Sequence, residues 1–197
     1  MKFSRTGLLT AILVVAALFI GSYISQALPV SDRVIGERPF MHEASLGDTV
    51  RLRTADVTVT AVQTAFEVES KSTGQVASTS GVWIVFDITW SPVGESALLE
   101  NQAAVVRAAD GREFGGSQAV TSNCGPTQPG LPVACQLPIE ISADALEGAH
   151  LLLPAGGYIN LSDDVADYDL GIDAELASEL ADADERIVLL ESTTELP

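Results

Sequence analysis

Residues 81–90 read GVWIVFDITW, and this run constrains the fold more than any other. Val82, Ile84, Phe86, Ile88 and Trp90 share one face of an extended chain, and Trp83, Val85, Asp87 and Thr89 share the other. Successive side chains of a strand point to opposite sides, so one face is wholly apolar and the other only partly so. The pattern predicts a central strand whose first face builds a core. Burying such side chains stabilises by about 1.5–3 kcal/mol each, before chain entropy is subtracted. The Phe and Trp residues are read as core packing, not as a ligand box.

Other short β-type runs follow the same period, punctuated by Gly, Pro, Asp and Ser. Thr49–Arg53 places Val50 and Leu52 on one face, and Asp56–Val62 places Val57, Val59 and Ala61 on one face. Glu69–Ser80 (ESKSTGQVASTS) is small and polar and is expected to be a loop. Asp110-Gly111 stands between strand-like runs in Ala103–Phe114, which predicts a hairpin with a type I′ turn. Val133–Ile141 is a further strand, placed at an edge by Pro138, which lacks an N–H to donate. Ser142–Glu147 suits one helical turn, and His150–Leu153, Tyr158–Leu161 and Ile187–Leu190 suit strands. Asp173 is an N-cap candidate for a short helix with Ile172, Leu176 and Leu180 at four-residue spacing. About seven or eight short strands with almost no helix predict an all-β sandwich.

The N-terminus carries Lys2 and Arg5, followed by the apolar run Leu8–Ile24. At 1.5 Å per residue, the roughly 17 to 20 residues from Gly7 onward nearly match a hydrocarbon core of about 30 Å. A cleaved signal peptide, cut after Ser25-Gln26-Ala27, is the competing reading. The length of the run and the Leu28-Pro29 sequel favour an uncleaved signal-anchor. Positive charge before the span puts the N-terminus in the cytoplasm and the rest of the chain outside the cell membrane. The expected organisation is a cytoplasmic tail (1–7), a transmembrane signal-anchor helix (8–26), a stalk (27–44), the sandwich (45–162) and an acidic C-terminal segment packed on it (163–197).

Several features are shared with known extracytoplasmic domains: Leu46-Gly47-Asp48 before a strand, the Val82–Trp90 strand and the Asp110-Gly111 hairpin. Pro138-Ile139-Glu140-Ile141, Leu146-Glu147-Gly148-Ala149 and Leu151-Leu152-Leu153 continue the series. Over about residues 44–162 the chain resembles the telokin-like domain family of Gram-positive, actinobacterial membrane-anchored proteins. The resemblance implies an immunoglobulin-like sandwich behind a membrane anchor. Much of that family has no assigned activity, so it transfers no functional residue.

The chain has 27 acidic and 10 basic residues, a net charge of −17. That charge argues against nucleic-acid binding, which needs a basic surface. The 47% hydrophobic content argues against disorder throughout. Cys124 and Cys135 bracket a Gly- and Pro-rich loop, and in an exported domain such a pair is expected to form a disulfide. A redox pair would favour CxxC spacing, and a zinc site would need further soft ligands.

Asp163, Asp164, Asp167, Asp169 and Asp173 are the candidate metal ligands. Asp167-x-Asp169-x-Gly171 approaches a calcium loop but departs from the EF-hand pattern at Gly171, Ile172 and Ser178. The expected role of the segment is therefore a solvated acidic edge, with a non-standard calcium site as the alternative. No spacing among these acids selects a pair for glycoside hydrolysis. His42, in the stalk, and His150 read as isolated. Gly115-Gly116-Ser117-Gln118-Ala119 approaches a nucleophile elbow but ends in Ala, and a Ser117–His150–Asp triad rests on composition alone. The sequence thus predicts a non-enzymatic, membrane-tethered interaction or accessory module, without cofactor, beside an unidentified envelope protein. The alternative is an extracytoplasmic hydrolase or a metal- or ligand-binding protein using the acidic segment.

Overall fold

The 81–90 run lies inside a longer strand, β4 (Val76–Pro92), which pairs antiparallel with β3 (Ala55–Ser70) on one side and β9 (Val133–Ile141) on the other. The computed structural model describes residues 14–17, 19, 39–116, 118–155, 164–183 and 185–194. The chain divides into residues 1–38 and residues 39–197. In the first unit, residues 14–17 and 19 are helical and exposed. Most of the predicted signal-anchor lies outside the described residues, among which no helix is long and apolar enough to cross a membrane.

In the second unit, β12 (Ile187–Leu189), β3, β4, β9 and β13 (Thr193–Thr194) form one sheet in that order, with β2 (Thr49–Arg51) also on β3. A second sheet has the order β1 (Phe40–Ser45), β11 (Asp164–Asp169), β10 (His150–Pro154), β6 (Val105–Arg107) and β7 (Glu113–Gly115). β5 (Ala97–Glu100) and β8 (Asn123–Thr127) pair separately. The two large sheets share one core. Val57, Phe86, Ile88 and Trp90 from the first are buried with Val106, Leu151, Leu153 and Tyr168 from the second. The chain is a β-sandwich, and the face of β4 predicted to build the core does so. The opposite face also packs: Trp83 and Val85 are fully buried with Val120, Ile187 and Leu189.

Several expectations need correction. The stretch 69–80 is largely paired, because Glu67, Val68 and Glu69 of β3 face Ser78, Ala77 and Val76 of β4, and only residues 71–75 turn. Only alternate residues of 76–81 are half-buried, and Thr fits such a pleat, so the polarity of that stretch concealed a strand. The Asp110-Gly111 hairpin forms, joining β6 and β7, but not through a type I′ turn. The Gly111 N–H donates to the Ala108 carbonyl at 2.9 Å, and Gly111 alone takes positive φ (86°), with no positive-φ non-glycine among the described residues. A three-residue loop with glycine in the left-handed position satisfies the hairpin twist equally well. There are thirteen strands among the described residues, more than expected, because several span only two to five residues.

The boundaries at residues 45 and 162 also move. β1 takes residues 40–44 from the expected stalk, and β11 brings residues 164–169 into the sheet. Sequence alternation does not reveal β1, whose pairing partner lies more than a hundred residues away and runs parallel to it. The short helix forms as α1 (Ala174–Ala181), with Asp173 as N-cap accepting from the N–H groups of Glu175 (3.1 Å) and Leu176 (2.9 Å). Ser142 leads into a single 3₁₀ turn, Ala143–Ala145. Tyr158–Leu161 lies outside the described residues.

Candidate functional site

The acidic segment is where the sequence places its candidate ligands, and β11 carries three of them. Val165, Ala166 and Tyr168 are buried, which fixes this strand inside the sheet and orients its aspartates by period two. Asp167 therefore shares the outer face with Val165, and it is itself only 8% exposed. One carboxylate oxygen accepts from Arg107 of β6 at 2.8 Å, and the other meets His150 Nδ1 of β10 at 2.7 Å. The cross-strand register explains the meeting, since His150 pairs with Arg107 on one side and with Asp169 on the other.

Asp164 lies on the opposite face by the same period. Its carboxylate bonds to the His42 ring of β1 and accepts the Arg53 backbone N–H at 2.6 Å. Asp169 accepts the Gly171 N–H at 2.8 Å, and Asp173 caps α1. Asp163 lies outside the described residues. The aspartates are thus divided among two sheet faces, a turn and a helix cap, each with its own partner. Among the described residues no group of three or more His, Cys, Asp or Glu side chains is placed to hold a metal ion.

The structure corrects two expectations here. Asp164 and Asp167 are bonded parts of the sheet rather than a solvated edge, and His42 and His150 are not isolated. Both histidines of the chain hold the same strand, one from each side. Ser117, the expected nucleophile of a triad, lies outside the described residues.

The disulfide forms between Cys124 of β8 and Cys135 of β9, with Cα atoms 5.3 Å apart. Closing a loop of that length stabilises by roughly 3 kcal/mol in the chain-entropy picture. Beside it, Asn101 is fully buried and was missed in the sequence, where it stands in an unremarkable LLENQ run. Its amide donates to the carbonyls of Val120 (2.8 Å) and Pro138 (3.1 Å), and its oxygen accepts the Ser122 N–H at 3.2 Å. β9 is not the outermost strand, because β13 pairs with it at Val133 and Ala134, but β13 stops short of Pro138, whose carbonyl is met by Asn101.

Several of the exposed apolar side chains gather on the β3–β4 hairpin and the strand beside it. β9 pairs with β4 only from Val82 onward, so the β3–β4 hairpin continues beyond it as an arm. The arm departs at Gly81, where a Cβ would lie 2.2 Å from the Ile141 carbonyl oxygen, so only glycine passes. β12 runs along the arm with Val188 opposite Glu69, which in turn faces Val76. Val76 is 50% exposed, Val188 48% and Phe66 41%. Arg186 bonds to both Glu67 and Glu69, at 3.0 Å to the latter, and offsets part of the charge between these apolar groups.

Fold and bonds together define a disulfide-pinned β-sandwich domain. No protein-family model matches this chain, nor does any curated protein. Among solved structures, an uncharacterized β-sandwich protein from Clostridium difficile 630 is similar, with 12% identity over 67% of this chain and 95% of that one and a TM-score of 0.42.

Proposed function

We propose that the chain is a membrane-tethered, extracytoplasmic interaction or accessory module with an immunoglobulin-like sandwich, related to the telokin-like domains, and not an enzyme. In this reading residues 8–26 anchor it, and the domain faces an envelope protein outside the cell membrane. The observation that carries the reading is the arm, whose Val76 and Val188 are half exposed around a charge-compensated Glu69. Scattered apolar residues are ordinary on a protein surface, but several gathered on one projecting element fit a partner-binding patch. The hydrolase or metal-binding alternative has less support, because the aspartates it needs are already divided among separate internal partners.

The test is photo-crosslinking in cells that express the full chain, with the crosslinker at position 76 or 188 and, as control, at Asp110 on the β6–β7 hairpin. A discrete membrane-protein adduct from the arm positions alone, lost in a Val76→Asp, Val188→Asp background, is expected. Equal labelling from all three positions would defeat the assignment.

A further inference from the structure

We propose that a polar cavity beside the arm binds an uncharged, hydroxyl-rich small molecule the size of a sugar unit. The cavity is about 320 Å³, at the low end of the roughly 300–1,000 Å³ typical of ligand sites. Ser70, Ser72 and Thr73 at the arm turn form one wall, and Thr121, Ser122 and Asn123 form another. The C-terminal segment with Leu190 and Glu191 closes the third side.

These walls are held in place independently of any ligand. The buried Asn101 exchanges bonds with Ser122 in both directions, its own N–H donating to the Ser122 carbonyl at 3.0 Å. The disulfide begins at the next residue but one, Cys124. On the third side, the Leu190 N–H donates to Gln136 Oε1 at 2.8 Å, and Gln136 Nε2 donates to Asp87 at 2.7 Å. The Ser192 hydroxyl donates to the Asn123 carbonyl and ties this side to the second wall. A site fixed in this way orders few side chains on binding.

The wall chemistry selects the ligand class. No Lys, Arg or His lines the cavity, so a phosphate or carboxylate would meet no counter-charge within a chain of net charge −17. No aromatic ring lines it either, which removes the cage that favours quaternary ammonium groups. What remains is mostly hydroxyls and amides that both donate and accept, with the Glu191 carboxylate as one charged acceptor at the rim, and a neutral polyol can bond to all of them.

One hydroxyl adds an independent pointer. Ser122 Oγ is buried without a hydrogen-bond partner among the described residues. Leaving such a group unsatisfied costs about 1–3 kcal/mol. Ser122 is among the residues that line the cavity, so a ligand hydroxyl there could supply the missing partner.

The experiment titrates isotope-labelled full-length protein, in a detergent without sugar headgroups, with N-acetylglucosamine and glucose, and with glucuronate and choline as charged probes. Saturable shifts of the amides of residues 70–73, 121–123 and 190–192 are expected for the neutral sugars, with millimolar dissociation constants. Ser122→Ala should weaken them about threefold to tenfold, without lowering the melting temperature, because the hydroxyl it removes has no partner. Val76→Asp should leave the titration unchanged, which separates this site from the proposed partner surface. The inference falls if the neutral sugars give no saturating shift, if glucuronate or choline binds as well, or if Ser122→Ala binds normally or melts lower.

Discussion

The two large sheets are built by different means. In the β12-β3-β4-β9-β13 sheet the long strands β3 and β4 are consecutive in the chain, and β4 and β9 pair with apolar residues at every second position over Val82–Trp90 and Val133–Ile141. In the β1-β11-β10-β6-β7 sheet the strands are short, and two of them come from opposite ends of the domain. There the polar side chains make specific bonds: His42 to Asp164, and Arg107 and His150 to Asp167. The inner face of the first sheet is held mostly by area removed from water, which any apolar side chain of the right size provides, while its polar pairs, such as Asp87 with Gln136, lie on the other face. The second also depends on particular donor–acceptor pairs, which must be present together.

The largest expected effect follows from the first mechanism. Phe86 is fully buried in the shared core, so Phe86→Ala should cost about 3–5 kcal/mol, through lost transfer energy and the cavity left behind. Urea unfolding of the full chain measures it. A cost near 1 kcal/mol would mean that the core collapses around the gap and is less tightly packed than its burial implies.

A smaller loss is expected from the second. Asp167→Ala removes two bonds to charged or ionisable partners, whereas breaking a deeply buried ion pair costs about 3–5 kcal/mol. Arg107 and His150 are about one-third exposed, at 35% and 36% of their side chains, and so can regain water. We expect about 1–2 kcal/mol in the same denaturation assay. Asp167→Ala combined with His150→Ala should cost less than the sum of the single changes, because the pair acts together. Additive costs would show that the two side chains do not share an interaction. A cost for Asp167→Ala exceeding that of Phe86→Ala would invert the contrast between the sheets.

The same contrast explains what could be read from the sequence. The alternation in 81–90 and 133–141 marks strands because each residue reports its own burial. The helix cap at Asp173 and the disulfide are similarly local, being set by residue type and short spacing. Nothing local distinguishes Asp167, bonded within a sheet, from Asp182, which ends a helix. Their environments are decided by which distant strand arrives alongside. The sequence therefore shows which segment is acidic but not that Asp164 and Asp167 are bonded within a sheet. Asn101 gave no signal at all, since a buried bracketing amide has the same local sequence as an exposed one. Asp87 did give one, as a charge interrupting an apolar run, and it accepts the amides of Gln63 (3.2 Å) and Gln136 (2.7 Å).

Tyr168 belongs to both mechanisms and provides the finest test. It projects from β11 into the shared core, fully buried, and its hydroxyl reaches across to the Val57 carbonyl of β3 at 2.7 Å, with the Asp48 carbonyl at 3.0 Å. Its ring therefore contributes area while its oxygen makes a bond that joins the two sheets. Burial pushes its pKa up to about 12, opposed in part by backbone hydrogen bonding at Val50 and Val59 and reinforced by the nearby Asp48 charge. At neutral pH, Tyr168→Phe keeps the ring and removes the bond, so the expected cost is about 0.5–1.5 kcal/mol. The sign with pH follows from linkage. The folded state retains the phenolic proton more strongly than the unfolded chain, whose tyrosines titrate near 10, so this contribution is fully present below about pH 10 and falls as pH rises toward about 12. Phenylalanine has no proton to lose. The stability difference between parent and Tyr168→Phe should therefore be largest at neutral pH and shrink between about pH 10 and 12, as read from paired thermal melts. A difference that stayed constant over that window would mean that the hydroxyl titrates as it does in the unfolded chain, and that the buried link between the sheets is open to water.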